Sequence, residues 1–276
     1  MKTKIKLIFS AAIAMLFTSC APKIYYQVYK AASSDKVVVK DNYLVYEDDN
    51  CKVSYNLWNE GGNIGFELYN KTNENIYLNL EECFFVYNGR AYNYFKDRVF
   101  TTSANSGVTA LSNLSASKSV SGLFQTKGIH ATSAVGSMAS SGYSISYNEE
   151  KIVCIPSKTS KAIAEYNINE SLYRDCDLLK YPKNKKQITS KFFSKTDSPI
   201  LFSNRIAYAT KQSQVKFENE FYIAEISNFP EREVVDSKYD EFCGEKAPYE
   251  TKYFKNIAPD KFYIKYVKNY MFGGKH

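Results

Sequence analysis

The sequence predicts a mainly β protein of antiparallel strands, on three observations. The chain of 276 residues carries 24 Tyr and 18 Phe, which with scattered Val and Ile are the residue types that suit a pleated, half-buried surface. Apolar and polar residues alternate with period two over several short runs, the spacing that sends successive side chains to opposite faces of a strand. Turn pairs such as Gly61-Gly62 and Asn88-Gly89 separate those runs. Asn-Gly between apolar runs is a strong hairpin signal, because a two-residue type I′ turn needs positive φ at both central positions.

From Lys23, the residues Ile24, Tyr26 and Val28 alternate with Tyr25, Gln27 and Tyr29, giving a first strand. Val37 to Val39, Tyr43 to Tyr46 and Cys51 to Leu57 read as further short strands, parted by Asp/Asn turns such as Asp48-Asp49-Asn50. Glu60-Gly61-Gly62-Asn63 is a break before Ile64 to Tyr69, and Asn70 to Asn75 a turn before Ile76 to Leu80. Phe84 to Tyr87 and Ala91 to Phe95 then flank the Asn88-Gly89 turn.

Between 101 and 148 the composition shifts to Ser, Ala, Thr and Gly, and no Asp or Glu occurs from Arg98 through Asn148. Such a segment buries little apolar surface to offset its ordering entropy, so it reads as a long flexible insertion. Strands resume with Ile152 to Ile155, Ala162 to Ile168, Pro199 to Tyr208 and Phe221 to Ile226, while the basic stretch Lys180 to Lys191 reads as a solvated loop. Lys261 to Phe272 fits a strand with Phe262, Ile264 and Tyr266 inward, or a helix with Phe262, Tyr266 and Tyr270 on one face.

The first twenty residues have a different logic. Lys2, Lys4 and Lys6 precede an apolar run from Leu7 to Phe17, followed by Thr18-Ser19-Cys20. That is a secretory leader, with an apolar run too short to span a bilayer. Its end resembles the bacterial lipobox, although Phe17 stands where that family prefers Leu. The resemblance implies cleavage before Cys20 and a diacylglyceryl group on its thiol, usually with acylation of the new amino terminus. Two or more acyl chains hold a protein stably on a membrane where one does not. Ala21, where inner-membrane lipoproteins commonly carry Asp, and the lack of an acidic cluster after Cys20 imply an outer-membrane protein facing the periplasm.

The expected organisation is therefore a leader over 1–19, a first part of the β body over 20–100, the insertion over 101–148, and the remaining strands with a C-terminal extension over 149–276. Loss of the three leader lysines takes the formal charge from +7 to about +4, too small a surplus to argue for nucleic acid. Gly65 to Leu78, with its Asn70-Lys71-Thr72 turn, and Phe84 to Tyr92 resemble immunoglobulin-like sandwiches of bacterial envelope lipoproteins. That resemblance spans roughly 36–100, with 150–228 completing the sandwich, and implies a fold and no activity. The whole chain also resembles uncharacterised lipoproteins of Gram-negative bacteria.

Five cysteines remain after Cys20: Cys51, Cys83, Cys154, Cys176 and Cys243. An odd number in an oxidising compartment permits at most two disulfides and selects no pairing. Cys83 and Cys154 lie in apolar runs where an unpaired thiol packs as a small hydrophobe.

The sequence offers little catalytic chemistry. His130 and His276 are the two histidines, neither placed for a triad or a zinc site, and no cofactor motif is present. Glu81, Glu82, Asp175, Asp177, Glu218 and Glu220 are candidates for the paired carboxylates of a glycoside hydrolase. Asp48, Asp49 and Asn50, or Asp175 and Asp177, offer oxygens without the spacing of a calcium loop. Trp58 beside Gly61-Gly62 is a candidate sugar platform. Lys252, Lys255, Lys261, Lys265 and Lys268 among aromatics are candidates for anionic lipid. The expectation is a lipid-anchored, non-enzymatic module for a glycan or protein partner, with a carboxylate-based carbohydrate hydrolase as the alternative.

Overall fold

A computed structural model describes residues 22–105 and 142–268. The leader, Cys20, His130, Tyr270, His276 and the middle of the small-residue segment lie outside the described residues. Two antiparallel sheets face each other as a sandwich. The larger has nine strands, with a central path of β11 (Ile152–Ile155), β6 (Ile76–Asn79), β14 (Leu201–Ala209), β15 (Gln214–Pro230), β1 (Lys23–Ser33) and β18 (Lys261–Lys268). Joined to that path are β7 (Phe84–Tyr87), β8 (Arg90–Asn93) and β13 (Ser190–Phe192). The smaller sheet runs β12 (Ser160–Ile163), β5 (Phe66–Asn70), β4 (Cys51–Tyr55), β3 (Tyr43–Glu47), β2 (Val37–Lys40).

The alternation read in the sequence is what builds the core. Val53, Tyr55, Phe66 and Leu68 of the smaller sheet and Ile76, Leu78, Ile206, Phe221 and Ile223 of the larger belong to one buried apolar cluster. The Asn88-Gly89 turn joins β7 to β8 with φ of 45° and 80°. The C-terminal stretch is a strand, not a helix, with Phe262, Ile264 and Tyr266 buried. Tyr29 of β1 stacks on Phe262 with ring centroids 4.7 Å apart.

Three expectations need correction. The ends of the 101–148 segment are strands: β9 (Val99–Asn105) pairs with β10 (Gly142–Asn148) as a ribbon. Phe100 stacks on Tyr147 at 5.2 Å, and Arg98 grips the base of the ribbon through Glu149 and, at 2.9 and 3.0 Å, both oxygens of Glu165. The basic stretch is not loop to its end, because Ser190 and Lys191 pair with Ser227 and Ile226. Cys154 is exposed, since Val153 and Ile155 take the inward positions of β11. A stretch for which no element was expected, β16 (Val235–Phe242) and β17 (Glu245–Phe254), forms a second ribbon whose side chains are mostly exposed. With neither face covered, that ribbon has no alternating pattern to read.

Candidate functional site

The inner row of β1 is Tyr25, Gln27, Tyr29 and Ala31, so an amide sits in an otherwise apolar row, and only 2 % of Gln27 is exposed. A buried amide needs partners, and Gln27 finds four. Its Nε2 donates to the Tyr173 carbonyl and to Asn228 Oδ1, both at 2.9 Å. Its Oε1 accepts from the Tyr173 amide at 2.7 Å and from the Tyr29 hydroxyl. Asn228, on β15 and also buried, donates from Nδ2 to the Leu179 carbonyl at 3.2 Å. The two amides thereby staple both ends of the segment 173–179 to the larger sheet.

The stapled segment borders an open pocket of about 240 Å³ lined by the buried Gln27, Asn228, Leu178 and Tyr266 and the half-buried Tyr173. Arg174, Asp175 and Lys180 stand at its mouth. Asp175 is tied to the Lys191 ammonium, accepts from the Asp177 amide at 2.9 Å, and accepts from the Tyr173 hydroxyl at 3.1 Å. The lysine first, and then that amide, hold its carboxyl below the usual range, while the same pairing pushes Lys191 up. Burial pushes the Tyr266 phenol well up, and its hydroxyl donates to the Lys180 carbonyl. Arg174 is exposed and has no ion pair among the described residues. The site therefore offers a guanidinium, an ammonium, a fixed carboxylate acceptor, the second amide hydrogen of Asn228 and two aromatic walls. Such a set can recognise a small polar group bearing hydroxyls and negative charge.

Of the six candidate acids, Asp175 alone lines this pocket. Glu81 pairs with Lys151 at 2.7 Å, Glu82 with Lys216 at 3.0 Å, Glu218 with Arg205 at 2.9 Å and Glu220 with Lys195 at 2.6 Å. Asp177 leans on Lys191 at 3.5 Å and stays open to solvent. The calcium candidates are turn residues: Asp48 Oδ1 accepts from the amides of Asn50 at 2.8 Å and Cys51 at 2.7 Å, and its Oδ2 accepts from the Tyr208 hydroxyl at 2.9 Å. No cluster of three metal-ligating side chains occurs among the described residues.

Trp58 is not a free platform. Its ring meets Phe254 at 5.1 Å and Tyr263 at 5.2 Å, which ties the foot of the β16–β17 ribbon to β18. Gly62 is needed for packing, since a Cβ there would lie 2.7 Å from the Phe262 ring at a φ of +74°. Among the C-terminal lysines, Lys252 is paired with Glu231 at 2.8 Å and Lys255 with Asp236 at 3.8 Å. All five described cysteines are unpaired, with Cys51 and Cys83 buried. Gln27 and Asn228 were not among the sequence candidates. The readable signal was one amide in the Tyr25, Tyr29, Ala31 row.

No family model, curated protein or solved structure matches the chain.

Proposed function

We propose that this protein is a lipid-anchored envelope component, held through Cys20 at the periplasmic face of the outer membrane, that binds a glycan unit in the Gln27–Asn228 pocket. The observation that carries the reading is the pocket itself: two buried amides bonded to each other, one with an N–H to spare, beside tyrosine rings and charged groups. Its size suits a single sugar ring, and flat aromatic walls with a few fixed polar groups are what a saccharide needs for stacking and orientation. Asp175 supports recognition over hydrolysis, because Lys191 keeps it ionised and an acceptor, whereas a glycosidic acid needs a raised pKa and a second carboxylate across the scissile bond.

Calorimetric titration of the purified protein against peptidoglycan fragments and lipopolysaccharide core saccharides tests this. One class should bind, and Tyr173→Ala should weaken that binding about ten-fold, as loss of a stacking wall worth roughly 1.4 kcal/mol would. No binding across the panel overturns the reading, as does turnover of a glycan that Asp175→Asn abolishes. The anchor has its own test. Cys20→Ala should lose palmitate labelling and partition as soluble protein; labelling and partition that do not change overturn that part.

A further inference from the structure

Next to the pocket, where β1 begins, the larger sheet ends in stacked tyrosines under a group of lysines. Tyr181 packs edge-on to Tyr25 at 5.2 Å and lies 6.1 Å from Tyr266, and Tyr25 stacks on Tyr266 at 5.6 Å. The ammonium groups of Lys180 and Lys268 each sit 5.1 Å from the Tyr181 ring centre. Lys268 is in turn the ladder partner of Lys23. The chain runs on from Tyr181 through exposed Lys183, Lys185 and Lys186.

Like charges set opposite each other on neighbouring strands repel. Lys151, Lys191, Lys195, Lys211, Lys216 and Lys252 have carboxylate partners, while Lys36, Lys40 and Lys161, scattered on or beside the smaller sheet, have no ion pair among the described residues, so what sets this end apart is the gathering of its lysines. At this end Lys23, Lys180, Lys183, Lys185 and Lys186 have no ion pair among the described residues. Lysines gathered around the half-buried Tyr181 ring, with exposed lysines beside it, are the composition of a surface that meets anionic headgroups.

The chain outside the structure points the same way. Only Ala21 and Pro22 separate Cys20 from Lys23, a reach of about 10 Å at most. That is close to the roughly 8 Å screening length at physiological salt, so these charges stay within range of the leaflet. We infer that the Lys23, Lys180, Lys183 and Lys268 end of the sandwich docks on the anionic leaflet carrying the Cys20 lipid. The distance argument rests on the Cys20 reading. The charge argument does not.

The test uses the full chain carrying Cys20→Ala, so that no lipid contributes, in sedimentation with vesicles of phosphatidylcholine alone or mixed with phosphatidylglycerol. Binding should require phosphatidylglycerol and fall at high salt. Adding Lys23→Gln, Lys180→Gln and Lys183→Gln should weaken it about 100-fold, since each lysine near an anionic surface contributes about five-fold. Lys36→Gln, Lys40→Gln and Lys161→Gln, exposed positions on or beside the smaller sheet, should leave it unchanged in the same background, where any contribution of the leader is common to both. Equal loss in the two triple variants, or equal binding to both kinds of vesicle, overturns docking by this end. All the substituted lysines are exposed or partly exposed, and matching thermal melts confirm that the fold is retained. Palmitate labelling of the unaltered chain reports separately on the anchor.

Discussion

Two groups of amides and tyrosines are buried in this protein, one between the sheets and one under the pocket, and the same side chains serve different ends in each. Between the sheets, Asn219 of β15 donates to the Tyr55 hydroxyl of β4 at 2.7 Å. Asn204 of β14 donates to the Ile64 carbonyl at 2.8 Å and accepts from Tyr94 at 2.7 Å. Every one of those residues is buried, and Asn219 Oδ1 is left without a partner. Under the pocket, Gln27 is saturated, while Asn228 keeps a donor to spare and the charged groups stand at a solvent-facing mouth. A polar group satisfied in one register disfavours every slipped register, because slippage strands it in a dry interior. A polar group at the boundary instead fixes a loop and leaves donors for something else.

The largest effect should come from the inner group. Asn204→Ala strands the Tyr94 hydroxyl and the Ile64 carbonyl and leaves a void, so it should cost about 3 kcal/mol in urea denaturation. Saccharide affinity of the folded fraction should stay as it was. A loss below about 1 kcal/mol would mean that water reaches this group and that the contrast is false. Gln27→Leu should cost less, about 2 kcal/mol, because Tyr173 can turn to solvent once released. It should also abolish saccharide binding and speed amide exchange at Tyr173. Retained binding would separate the staple from the pocket.

How legible each group was follows from its geometry. The body of the sandwich was readable because one face of each strand is buried, as in β5, where Phe66, Leu68 and Asn70 face in, and because Asn88-Gly89 has the φ values its turn demands. The β16–β17 ribbon was not, since Tyr239, Phe242 and Tyr249 are all exposed and no periodicity marks an uncovered strand. The pocket was half legible. Gln27 could be placed in its row, but its partners lie 146 and 201 residues away, and no local pattern encodes a contact at that separation. The acidic candidates failed for a related reason: a carboxylate's role depends on the cation facing it, and Lys191 faces Asp175 from 16 residues on.

That pairing allows the smallest and sharpest test of the comparison, by pH. Asp175 has its folded pKa lowered, so its interaction with Lys191 is fully present above the ordinary Asp value of about 3.9 and is lost as pH falls through the lowered value. Lys191 has its pKa raised, so its share is fully present below the ordinary Lys value of about 10.4 and is lost as pH rises through the raised one. Saccharide affinity should therefore be flat between about pH 5 and pH 9 and decline only in stronger acid. Asp175→Asn should weaken binding a few-fold at neutral pH and remove the acid decline. The core group contains no residue that ionises in that range, so Asn204→Ala should leave the profile's shape untouched. A midpoint for Asp175 above the ordinary carboxylate range, followed by carbon-13 resonance of its carboxyl, would point to a proton donor. It would break the distinction drawn between a pocket that recognises and one that transforms.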